Sequence, residues 1–207
     1  MINEKPTIYN APAVYNLGGG GGVDTYGVIL IDAILYPTVK IGSQEWTAKN
    51  LVFAPSGIEV DGTFYNSSPK AASYGGNKTP FYYGYYYNYK AIQFFEANKS
   101  NYFPGWRIPT TTDWNTLFNF LGGANTSYDK LVIKDYDANN SEHTSIILNG
   151  YRISNNNNDL GVWGHYACLD NNGTGMGRAG FSKSAKTANT AFFSNFNIGV
   201  GIRLIKE

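Results

Sequence analysis

The chain has 207 residues, 43% of them apolar and 16% aromatic, with 16 basic and 15 acidic side chains for a net charge of +1. So even a balance lacks the basic face that nucleic acid or an anionic membrane surface requires, and a chain of this length needs no metal or disulfide to hold a core. The single cysteine, Cys168, excludes an intrachain disulfide.

Met1 to Leu17 contains Pro6 and Pro12, which fix φ and remove donors, so this stretch reads as an extended tail. Its apolar residues Ile8, Tyr9, Val14 and Tyr15 have no core of their own, which leaves two readings: a disordered terminus or, favoured, a docking peptide for a groove on a larger assembly. No apolar h-region is present, so the start does not read as a secretory signal peptide. Gly18 to Gly22 forms a glycine linker. It is not a phosphate loop: no strand precedes it, no helix follows it, and Val23 stands where the third glycine of a dinucleotide fingerprint would fall. Residues 23–38 read as a connecting strand through Val28 to Tyr36, an apolar run interrupted by Asp32 and too short to span a bilayer.

Residues 39–207 form the globular part. Val39–Ile41, the turn Gly42-Ser43 and Gln44–Thr47 make a hairpin signal. Residues 54–80 read as loop with a short strand at Thr63–Tyr65, followed by the aromatic run from Phe81 to Tyr89. Ala91 to Asn98 reads as a short helix. The clearest helix is Thr111 to Leu121: Thr110 is its N-cap, Asp113 completes a capping box, and Trp114, Leu117, Phe118 and Leu121 share one face. Gly122-Gly123 ends it.

Beyond residue 124 the pattern predicts strands and loops only, with strands at Leu131–Ile133, Ser145–Leu148 and Gly199–Ile205. The long segment from Ser154 to Ser194 reads as a functional loop. It carries Trp163, His165, Tyr166, Asp170, Asn171, Asn172 and Arg178, a mixture suited to a polar ligand. Abundant Tyr, Asn, Gly and Ser suit such a surface, and equally suit a Tyr-rich β-protein.

His143 and His165 lack metal-ligand spacing. Asp135, Asp137 and Asp170 match no EF-hand loop, so the main expectation is no cofactor, with a calcium site on these carboxylates as the minor alternative. Cys168 and His165 lie three residues apart without an orienting third group, so Cys168 reads as a buried inert thiol.

From Lys40 onward the chain resembles the Fibrobacter succinogenes major paralogous domain family. The pieces that carry the resemblance are Ile41–Leu51 (IGSQEWTAKNL), Tyr83–Ala91 (YGYYYNYKA), Pro104–Trp114 (PGWRIPTTTDW), Asn149–Arg152 (NGYR) and Gly201–Arg203 (GIR). That resemblance implies an α+β, C-type-lectin-like domain with one or two helices, small antiparallel sheets and long loops. It also implies kinship with the formylglycine-generating-enzyme fold, whose catalysis depends on paired C-terminal cysteines. With Cys168 alone, the expectation is a protein that is not an enzyme. The calcium-binding lectin signatures E-P-N, Q-P-D and W-N-D are missing.

Pro6 to Asn16 with the following glycines resembles the leader of virion appendage proteins in Bacteroides-infecting, crAss-like phages. The combined expectation is a virion structural protein: a head or tail fibre or decoration subunit, made in the host cytoplasm and carried on the particle surface. Its tail would dock on capsid or tail proteins, and its lectin-like domain would bind a host-surface glycan or protein, as a homotrimer without membrane insertion. The alternatives are a bacterial cell-surface adhesin or carbohydrate-binding domain and, third, a formylglycine-generating-type enzyme.

Overall fold

The run from Val28 to Tyr36 is two strands, not one. Asp32 and Ala33 both hold positive φ (49° and 60°) and reverse the chain between β1 (Tyr26–Ile31) and β2 (Ile34–Ile41), the left-handed pair that a two-residue hairpin loop requires. This computed structural model describes residues 26–60, 66–73, 84–133 and 144–207. The tail with Ile8, Tyr9, Val14 and Tyr15, the glycine run, Thr63–Tyr65, Asp135, Asp137 and His143 lie outside the described residues.

The hairpin expected after Val39 is present as β2 and β3 (Gln44–Thr47), turning at Gly42 with φ 59°. Then follow β4 (Glu59–Val60), β5 (Lys70–Ala72), β6 (Tyr86–Tyr87), α1 (Tyr89–Ala97), α2 (Lys99–Tyr102) and β7 (Trp106–Arg107). Helices α3 (Thr111–Phe120) and α4 (Ala124–Leu131) lead to β8 (Tyr151–Ile153), β9 (Asn156–Asn158), β10 (Trp163–Asn171), β11 (Met176–Ser182), β12 (Thr187–Phe192), β13 (Ile198–Gly199) and β14 (Ile205–Lys206). They assemble into a five-stranded sheet, β1-β2-β3-β14-β7, and three three-stranded sheets, β10-β11-β12, β13-β8-β9 and β4-β5-β6.

This corrects the expected lectin-like arrangement of one or two helices, small sheets and long loops. Among the described residues there are four helices and four sheets, one of them five-stranded. Two physical features hide the difference in the sequence. Helix α4 has a mostly polar surface and buries Ser127, Tyr128 and Leu131; the Ser127 hydroxyl donates to Phe118 O and Gly123 O, 3.2 and 2.7 Å away. A buried serine breaks the apolar periodicity that marks a helix. The segment 154–194, expected as loop, holds the β10-β11-β12 meander. Its glycines mimic loop composition but serve close packing: a Cβ on Gly177 would lie 2.9 Å from Asp170 O, and one on Gly164 would lie 2.8 Å from Ile147 O.

Among the described residues two large hydrophobic clusters fill most of the interior. One surrounds α1, where Phe95 is fully buried among the rings of Phe53, Tyr87, Tyr102 and Phe103. The other surrounds α3, where Trp114 packs on Trp46, Phe118, Tyr166 and Phe181. The Thr110 capping box is present as expected, and Asp113 also accepts a forked pair from Arg107 at 2.7 and 2.8 Å. That fork and the cap hold the Asp113 carboxyl below its ordinary range against the opposing effect of burial.

The C-terminal run from Ile198 to Lys206 threads between these parts. It pairs with β8, bridges Tyr87 through Val200 and Tyr166 through Gly201, and ends as β14 between β3 and β7. Arg203 lies on this run, only 2% exposed. It donates to Asn50 Oδ1 (2.5 Å), Thr47 O (2.9 Å), Thr144 O (2.6 Å) and Ser145 O (2.7 Å). The two family-like segments containing Asn50 and Arg203 therefore meet in the interior.

Candidate ligand-binding face

Strand β10 alternates, as a strand must. Tyr166 and Cys168 point into the α3 cluster and are fully buried. The Tyr166 hydroxyl donates to Ile147 O and accepts from Ile147 N. Burial pushes the Cys168 thiol well above its ordinary value. Trp163 and His165 take the opposite face, where β11 contributes Arg178 by its register opposite Ala167.

These side chains converge. The rings of Trp163 and His165 stack 5.6 Å apart and nearly parallel, at 5°. Tyr151 and Phe193 meet His165 edge-on at 5.5 and 5.4 Å. The Arg178 guanidinium lies 5.8 Å from the Trp163 ring and 5.2 Å from that of Phe193, within cation–π range. Its Nη1 donates to His165 Nδ1 at 3.3 Å. In the neutral ring this places the proton on Nε2. Burial, reinforced by the Arg178 charge, lowers the His165 pKa to about 3, so the imidazole is neutral near pH 7 and the charge of the face resides on Arg178.

Two backbone features build this arrangement. Gly180 sits opposite His165, and a Cβ there would lie 2.1 Å from Arg178 Nη1. The bare glycine lets the arginine fold across the sheet to the histidine. On the other side, Asn149 clamps the main chain of His165, accepting from its N–H at 3.0 Å and donating to its carbonyl at 3.4 Å.

The remaining residues of the expected site are engaged elsewhere. Asp170 caps α3, accepting from Thr111 N at 2.7 Å and Thr111 Oγ1 at 2.6 Å. Asn171 donates to Tyr89 Oη at 2.8 Å. Asn172 shapes the β10–β11 turn, accepting from Thr174 N, Thr174 Oγ1 and Gly175 N. Of the residues singled out in the sequence, the structure brings together Trp163, His165 and Arg178. Tyr151, Phe193, Gly180 and Asn149 join them without having been foreseen. Asn149 and Tyr151 stand in the NGYR piece and gave a signal; Phe193 gave none.

A hollow of about 300 Å³ elsewhere on the domain is bordered by Lys49, Asn50, Ser145, Ile147 and Arg203. Arg203 is committed there to carbonyl oxygens and Asn50, which makes it part of the fold's wiring and leaves the Trp163–His165–Arg178 face as the better-equipped site. Among the described residues no group of three or more His, Cys, Asp or Glu is placed to hold a metal, and no helix is long and apolar enough to cross a membrane.

Residues 39–206 match a family model described as the Fibrobacter succinogenes major domain. No curated protein and no solved structure matches the chain.

Proposed function

The chain belongs to the Fibrobacter succinogenes major domain family, and on that premise we propose that it is a displayed binding module: a phage virion subunit, held to capsid or tail by residues 1–17, whose domain binds a host-surface glycan. The observation that carries the binding role is the aromatic and cationic face of Trp163, His165, Arg178, Phe193 and Tyr151 on the β10–β11 pair. Aromatic rings suit the apolar faces of sugars, and a fixed arginine supplies directed donors for hydroxyl or acid groups. The virion placement draws on the leader-like residues Pro6 to Asn16. Many copies on one particle would raise the avidity of a weak individual site. Cys168, on which the enzymatic alternative depends, is fully buried with its thiol pushed up, a poor nucleophile.

A glycan array probed with the full chain and with Trp163→Ala tests the binding role. The expected result is a set of bound glycans whose signal falls roughly tenfold in the variant, as for a buried aromatic anchor. An empty array, or a variant that binds like the parent, rejects it. Purified particles that lack the protein reject the virion placement and favour the cell-surface adhesin.

A further inference from the structure

Arg178 is set apart from the other arginines. The chain has four, and two of the others are fully committed to the fold. Arg107 forks onto Asp113. Arg203 is bound by carbonyls and Asn50. Arg152 donates to Asn157 and has its Nε sealed in the interior. Arg178 has one hydrogen-bond partner among the described residues, His165 Nδ1, and no carboxylate pairs with it there. The side chain is only part-buried, its other N–H groups are not among the sealed, partnerless atoms, and it lies beside two aromatic rings.

A half-buried guanidinium loses hydration and regains it best from an ionised, planar acceptor. A carboxylate fits the guanidinium fork with two parallel charge-assisted bonds. Burial already holds Arg178 below its ordinary range, with no acid beside it to compensate. His165 adds no charge, and Trp163 gives a flat apolar wall. From this geometry we infer that the face takes a carboxylate-bearing sugar, its carboxylate forked by Arg178 and its ring laid against Trp163. The inference rests on the proposed glycan-binding role and narrows it to acidic glycans.

Calorimetric titration of the full chain with methyl β-glucuronide, methyl β-glucoside and a hexaglutamate peptide tests it. The glucuronide should bind roughly tenfold tighter than the glucoside, the margin expected of a forked charge-assisted contact. Arg178→Ala should bring the glucuronide down to the level of the glucoside. Arg178→Lys should recover only part of the difference, because it keeps the charge and loses the fork. Trp163→Ala should weaken both sugars alike. Melting curves of the arginine variants that match the parent show that each loss is local. Equal affinity for the two sugars in the parent overturns the inference and leaves glycan binding standing. Binding of the peptide with neither sugar, or of nothing at all, overturns both.

Discussion

At the scale of single residues, the candidate face depends on two unequal neighbours, a histidine that burial keeps neutral and the arginine whose charge reinforces that effect. His165 is 4% exposed and its pKa falls to about 3. In the unfolded chain it returns to about 6.5. Between these values the unfolded state binds the extra proton, so the histidine's contribution to stability is complete above about pH 6.5 and is lost as the pH falls toward 3. Each pH unit crossed costs about 1.4 kcal/mol at most. Melting temperatures measured from pH 7 down to pH 4 should fall more steeply for the native chain than for His165→Gln, which has no proton to take up; parallel slopes would contradict this. Gly180→Ala tests the arginine. The new methyl would collide with Nη1, and the flexible, half-exposed Arg178 can swing away, so the expected loss of stability is small, about 1 kcal/mol or less. Ligand affinity should fall as far as in Arg178→Ala, read in the same titration.

At the scale of elements, the parts governed by local rules were legible and those governed by contact were not. The capping box from Thr110 to Asp113 and the buried stripe of Trp114, Leu117 and Phe118 follow from side-chain spacing, and α3 is where they place it. The Gly42 turn follows from the need for positive φ. In contrast, Asp32-Ala33 occupies a left-handed turn without a glycine, inside an apolar run, so β1 and β2 read as one strand. The β10-β11-β12 meander read as loop because its small residues answer to neighbours distant in sequence. Asp170 shows the same limit at the site: an acidic residue among asparagines looks like a ligand group, yet its carboxylate caps α3 from 59 positions away. Replacing it should therefore act on stability. Asp170→Ala should lower the unfolding free energy by about 1–2 kcal/mol, the usual cost of a lost cap, measured by urea denaturation. Glycan affinity of the folded fraction should stay unchanged; a fall in affinity without loss of stability would assign Asp170 to the ligand instead.

At the scale of the molecule, Arg203 ties together chain segments near residues 47–50 and 144–145 with the C-terminal run. It is a buried cation without a carboxylate partner among the described residues, solvated by backbone carbonyls, an amide oxygen and the Tyr166 ring 5.6 Å away. Arg203→Met keeps much of the volume and removes the donor to the Thr47 and Thr144 carbonyls. Each buried acceptor left without a partner costs about 1–3 kcal/mol, so the variant should lose on the order of 3 kcal/mol or more in urea denaturation. A near-neutral result would mean that the carbonyls find other donors.

The C-terminal run also imposes an order in time. Strand β14 enters the five-stranded sheet between β3 and β7, both made long before it. Until residues 198–206 emerge from the ribosome, β3 and β7 lack their shared neighbour, and the carbonyls of Thr47 and Thr144 lack the Arg203 donor. The domain is thus synthesised open and closes only with its final strand. A nascent chain stalled before Ile198 should be readily cut by protease, and one extended beyond Lys206 and clear of the exit tunnel should resist.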